Sequence, residues 1–272
     1  EYGMQRVILH CDMNNFYASV ECMLNPELKN KPVAVCGSVE ERHGIVLAKN
    51  YAAKAFGVST GEAIWQAKQK CPDLITVPPH FDLYKRFSKM ARRIYSEYTD
   101  KIEPFGLDEA WLDVTDNKNM SGKEIALEIN RRIKQDLGIT VSIGVSFNKI
   151  FAKFGSDYKK PDAITEITRE NYRDIVWSCP AKDLLYVGRA TGRKPESIGI
   201  YTIGDIATAD VTLLRSYLGK WGDLIYGFAN GYDSSPVAHM NENSEVKSIG
   251  NSTTTPKDMV TFNDVKQVIF VL

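Results

Sequence analysis

KIEPFGLDEAWLDVT, residues 101–115, sets short apolar stretches on either side of a glycine. The pattern predicts two short strands joined by a turn at Gly106. Adjacent residues of a regular strand point to opposite faces. Asp108 and Glu109 can therefore serve one site only where a turn distorts the ladder, and Gly106 just upstream makes that plausible. Taken alone, the acidic pair reads more readily as surface charge at a turn edge than as a site.

Outward from this hairpin the pattern alternates. Before it, DLYKRFSKMARRIYSEYT (82–99) places Leu83, Phe87, Met90, Ile94 and Tyr98 at helical spacing. After it, Ser121 and Glu124 form a capping box, and Ile125, Ile129 and Ile133 mark one helical face. ITVSIGVS (139–146) is strand-like, and residues 149–158 are helical. Near the start, residues 7–11 read as a strand that runs into HCDMNNFY (10–17) and a helix from Phe16. Strand, helix, paired strands, helix, strand is the order of a ferredoxin-like α+β unit, with residues 15–77 inserted after its first strand. Within the insertion, residues 33–36 read as a strand, and NYAAKAFGV (50–58) and residues 63–70 as helices. From about residue 167 short helices are punctuated by glycine. Residues 241–245 are linker-like, and residues 247–254 resume strand character.

The formal charge is balanced, with 34 basic and 34 acidic side chains, so no global basic field advertises nucleic acid. Lys85, Arg86, Lys89, Arg92 and Arg93 crowd one segment and Arg131, Arg132 and Lys134 another; on charge alone a solvated helix face is the better reading. Five cysteines without a CxxC pair speak against a zinc ribbon or a disulfide scaffold and for a reducing, cytoplasmic setting. No membrane-spanning run is visible.

Asp12 ends the first strand, where an unpaired buried carboxylate would be costly. With Asp108 and Glu109 on the neighbouring strand it makes a three-carboxylate set. Oxygen donors with no histidine or cysteine nearby suit magnesium or manganese rather than zinc, and two-metal phosphoryl transfer.

DMNNFYASVE (12–21), NYAAKAFGV, GLDEAWLDVT (106–115) and GVSFNKIFAKFGSDYKKP (144–161) stand in the order and spacing of the Y-family translesion DNA polymerases, and the chain most resembles their DNA polymerase IV branch. The resemblance implies a palm (1–14 and 78–166), fingers (15–77) and a thumb (167–240). Residues 241–272 become a linker and the start of a little finger, most of which lies downstream of Leu272. It implies catalysis and metal binding by Asp12, Asp108 and Glu109, with the backbone carbonyl of Met13 as a further ligand, and two magnesium ions (manganese as substitute). Phe16 and Tyr17 become nucleotide-binding residues, with Tyr17 the steric gate against a 2′-hydroxyl. Tyr51, Lys54 and Lys160 become triphosphate contacts. Three positions depart from the family's usual pattern: Lys54 stands for an arginine, Ala48 for a threonine and Gly106 for a serine. The first two bear on nucleotide affinity, since a point charge replaces a bidentate fork and one hydroxyl donor is lost.

LLYVGRATGRKPESIGI (184–200) resembles a helix-hairpin-helix, whose turn at Val187, Gly188 and Arg189, with Thr191 close by, would offer backbone N–H groups to a DNA phosphate. Expected partners are primer–template DNA, deoxynucleoside triphosphates and, for the full-length protein, a sliding clamp, with a monomeric chain. Two other readings compete: a DNA-binding scaffold on a degenerate palm, and a nucleotide cyclase of the same topology. The intact carboxylates and Lys160 speak against the first. The gate and the thumb speak against the second.

Overall fold

The computed structural model describes residues 5–38, 44–188, 197–242 and 246–272. The chain divides into two compact units, residues 1–14 with 88–241 and residues 15–87 with 242–272.

The first unit is built on a five-stranded sheet in the order β5-β6-β1-β7-β8. Its strands are β1 (Ile8–Met13), β5 (Ile102–Pro104), β6 (Glu109–Asp113), β7 (Val141–Ser146) and β8 (Ile164–Glu166). Central β1 is antiparallel to both β6 and β7, which is the ferredoxin-like arrangement expected. β8 adds a parallel edge beside β7 that the sequence pattern did not announce. Every residue of β1 is buried, so His10 and Asp12 are polar groups held inside and need partners.

Two helices complete this frame. α5 (Gly122–Arg132) starts at the expected capping box: the Glu124 amide donates to Ser121 Oγ at 3.2 Å, and the Ser121 amide to Glu124 Oε2 at 2.7 Å. α6 (Lys149–Tyr158) is capped by Asn148, whose Oδ1 accepts from the Phe151 amide at 2.8 Å. α6 lies very close to the sheet because a glycine faces it from β7. A Cβ on Gly144 would stand 1.9 Å from the Ala152 carbonyl oxygen, and one on Gly155 only 3.0 Å from the Gly144 Cα. Phe151 and Phe154 of α6, with Phe147 just before it, share a core with the short helices Tyr172–Val176, Ile203–Thr208, Val211–Leu218 and Lys220–Ala229. Val187 is buried in that core and Gly188 is exposed; Arg189 and Thr191, the rest of the expected hairpin turn, lie outside the described residues.

The second unit has a three-stranded sheet, β3-β2-β4, from β2 (Val33–Cys36), β3 (Val46–Lys49) and β4 (Ile75–Val77). Its helices are α1 (Phe16–Leu24), α2 (Tyr51–Ala55) and α3 (Ile64–Lys70), and α4 (Phe81–Tyr95) begins here. Asn50 organises the turn into α2: its Oδ1 accepts from Ala53 and from Val33, and its Nδ2 donates to the Lys31 carbonyl. The strand expected over 247–254 is not formed. Residues 246–260 are irregular and almost wholly exposed, and they pair with no strand among the described residues. Helix Phe262–Val271 follows, with no buried residue.

All five cysteines are free thiols. Among the described residues no helix is long and apolar enough to cross a membrane.

Candidate active site

The acidic cluster forms where β1 meets β6. Asp12 and Glu109 are direct cross-strand partners. Asp108 lies one residue before β6, in the bend that follows Gly106 at φ +92°, a backbone conformation suited to glycine. Its own carbonyl accepts from the Met13 amide at 3.0 Å, so the turn is tied to the end of β1. This irregularity resolves the alternation problem: Asp108 is off the ladder, and one carboxylate oxygen from each of Asp12, Asp108 and Glu109 falls within 4.8 Å of the others.

Two lysines from the α6 region enter the cluster. Lys153 Nζ is 2.7 Å from Glu109, 3.3 Å from Asp12 and 3.1 Å from Asp157. Lys160 Nζ is 2.6 Å from Asp12 and 2.7 Å from Asp157. Burial alone would lower both ammonium groups, but the facing carboxylates hold them above the usual lysine range. Asp108 has no ion pair among the described residues. Burial, then the charges of Asp12 and Glu109, push its carboxyl up to about 6. Burial works on Glu109 in the same direction, yet hydrogen bonding from His10 and the Lys153 charge outweigh it and bring Glu109 down to about 2.

His10 corrects the expectation that no histidine stands nearby. Residues two apart on a strand share a face, so His10 points with Asp12. Its Nε2 is 3.2 Å from Glu109 Oε2, and its Nδ1 is 2.7 Å from Ser156 Oγ. Burial lowers the His10 pKa, and the Ser156 hydroxyl beside Nδ1 donates onward to the Lys153 carbonyl at 2.7 Å. Asn14 was also missed. Its side chain donates to Ser142 Oγ at 2.9 Å and accepts from Thr140 Oγ1 at 2.9 Å and from the Asp162 amide at 3.0 Å. These bonds tie the end of β1 to β7 and to the Lys160–Pro161 loop, which fixes where Lys160 can reach. A strand-end asparagine leaves no periodic signal, but Lys153 and Asp157 at i,i+4 were a readable one.

The donor set fits a hard divalent cation. It is all carboxylate oxygen, and Asp108 lacks the counter-charge that would settle it in the ionised form.

The second unit carries the remaining sequence-predicted residues. Phe16 is buried and belongs to the core. Tyr17 is partly exposed and stacks on Tyr84, centroids 4.3 Å apart and planes 12° apart. Tyr51 is exposed, with Lys54 Nζ 5.5 Å from its ring centroid.

The profile of the impB/mucB/samB family matches residues 11–157, which contain all three carboxylates and Lys153 but not Lys160. A DNA polymerase IV from Acetivibrio thermocellus is 56% identical over 271 residues, covering 99% of this chain and 68% of the relative. The chain belongs to the DNA polymerase IV branch of the Y family. DNA polymerase IV 1 of Bacillus subtilis is 44% identical over 257 residues, 94% of this chain and 62% of that one. Among solved structures, a Y-family chimaera of Dbh and Dpo4 superposes with a TM-score of 0.80 at 31% identity, over 87% of this chain and 70% of the chimaera. The insertion ternary complex of Dbh DNA polymerase gives 0.79 at 32% identity, over 85% and 69%. The chain thus spans about two thirds of the length of the DNA polymerase IV proteins it matches.

Proposed function

We propose that this chain is the catalytic part of a template-directed, translesion-type DNA polymerase that adds deoxynucleotides to a primer 3′ end by two-metal phosphoryl transfer. The reading rests above all on the meeting of Asp12, Asp108 and Glu109 within 4.8 Å on a ferredoxin-like sheet. Asp12, Asp108, Glu109 and the carbonyl of Met13 would hold two magnesium ions. Bound there, the ions supply Lewis acidity at the primer hydroxyl and neutralise charge on the departing pyrophosphate. Lys153 holds Glu109 ionised, and so ready to bind a cation, beside the nucleophile. Lys160 pairs with Asp12 and Asp157 in the protein alone, and is the cation to turn to the triphosphate once a metal neutralises Asp12. Tyr17 excludes a 2′-hydroxyl by ring bulk, and Tyr51 with Lys54 contacts phosphate from the fingers. The 1–14 and 78–166 segments act as palm, 15–77 as fingers and 167–240 as thumb, the last gripping duplex backbone through the turn at Val187 and Gly188. Primer–template DNA and deoxynucleoside triphosphates are the substrates.

The test is extension of a labelled primer on a defined template with magnesium, each deoxynucleotide being offered singly. Incorporation of the templated nucleotide, dependent on magnesium, is expected. Binding of primer–template without extension would leave the scaffold reading in its place, and pyrophosphate release from a nucleotide without DNA would point to the cyclase.

A further inference from the structure

We propose that Glu21 is a positioning residue for sugar discrimination, acting through Tyr84 on the gate Tyr17; the inference rests on the gate reading above. Tyr17 and Glu21 stand four residues apart on α1 and therefore on one face of it. Both close on the same ring. Tyr17 lies flat against Tyr84 at 4.3 Å, while Glu21 Oε1 accepts a hydrogen bond of 2.6 Å from the Tyr84 hydroxyl. Tyr84 is fully buried, and Phe81 packs edge-on against both Tyr17 and Tyr84, at 5.8 Å in each case.

The same Glu21 oxygen lies 2.7 Å from His80 Nδ1. His80 precedes α4, and its carbonyl accepts from the Leu83 and Tyr84 amides that open that helix. One buried carboxylate thus fixes the start of α4 and the far end of the Tyr84 ring. A stacked ring held only by its face can slide or tilt. The hydroxyl tether removes that freedom, and the plane of Tyr84 sets how far Tyr17 stands out from α1. A steric filter for one oxygen atom is sensitive to tenths of an ångström, so loosening the platform admits the larger sugar before it disturbs anything else.

Ribonucleotide and deoxynucleotide incorporation efficiencies are to be measured on the same primer–template for the unmodified chain and for Glu21→Ala, Glu21→Gln, Tyr84→Phe and Tyr17→Ala. Tyr84→Phe keeps the ring and its volume and deletes only the tether, so it provides a folded test even if Glu21→Ala fails to fold. The expected result is a loss of discrimination of roughly three- to tenfold in Glu21→Ala and in Tyr84→Phe, the scale of one hydrogen bond. Glu21→Gln, which still accepts from Tyr84, should retain most of it, and Tyr17→Ala should lose far more than any of these. Unchanged discrimination in Glu21→Ala and Tyr84→Phe beside a large loss in Tyr17→Ala would overturn the role of Glu21 alone. Unchanged discrimination in Tyr17→Ala would overturn the gate and this inference together.

Discussion

Asp108 and Glu109 are neighbours in sequence held at opposite ends of the carboxylate range by what faces each. Burial and the charges of Asp12 and Glu109 push the folded Asp108 carboxyl up to about 6, from the 3.8 of an unperturbed side chain. Between those values the folded chain binds the extra proton, so in the metal-free protein the Asp108 contribution to stability falls as pH rises through that window. A divalent cation needs the ionised form and relieves the repulsion. Magnesium should therefore raise the melting temperature more at pH 7 than at pH 5, as differential scanning would record; equal shifts would contradict Asp108 as a ligand. Lys153 is the complementary case, a mostly buried ammonium bridging Asp12, Glu109 and Asp157. Removing one partner of a buried ion cluster leaves uncompensated charge, so Lys153→Met should cost about 3 kcal/mol without metal. Part of this should return with magnesium in a denaturant titration. The carboxylates were legible because each lies within a quotable motif. His10 and Asn14 stand in the same stretch as Asp12 but were not, since what they face is set only by folding, which brings Ser156 and Glu109 to His10 and Ser142, Thr140 and Asp162 around Asn14.

Elements were readable where local chemistry was complete. The capping box of α5, the helical spacing through α4 and the turn at Gly106 each carry their own signal, and each forms. β4 and β8 are three residues long, too short for any period to show, and exist because β2 and β7 offer open edges. The strand read at 247–254 fails for the converse reason: β-propensity without a partner does not make a strand. The packing of α6 is the feature that most constrains the site, since α6 delivers Lys153 and Ser156. Gly144→Ala would drive a methyl into the α6 backbone, 1.9 Å from the Ala152 carbonyl oxygen and 2.6 Å from the Ser156 nitrogen. Neither atom belongs to a flexible side chain, so the helix must shift. A loss of about 3 kcal/mol in urea unfolding is expected, at the upper end for overpacking. A nucleotide-addition defect should persist at temperatures where the variant is still folded. A neutral substitution would show that α6 tolerates displacement.

For the whole molecule, composition is uninformative, because 34 basic and 34 acidic side chains cancel. The proposed function rests instead on Asp12, Asp108 and Glu109, whose carboxylate oxygens meet within 4.8 Å at one end of the central strand. Family membership fixes the kind of protein; what this chain's geometry adds is a carboxylate cluster whose charge is partly met by two lysines. Transition-state stabilisation there contributes little to holding a duplex, so catalysis and DNA affinity should separate on mutation. The measurement that bears on this most directly is single-turnover addition of the templated deoxynucleotide to a bound primer–template with magnesium, in the unmodified chain and in Asp108→Ala and Glu109→Ala, alongside DNA affinity for each. A fall in rate of about a thousandfold or more in either variant, the scale of removing a principal electrostatic stabiliser, with DNA affinity nearly unchanged, is the predicted result. Addition at close to the unmodified rate in either variant would contradict the assignment of this cluster as the catalytic metal centre.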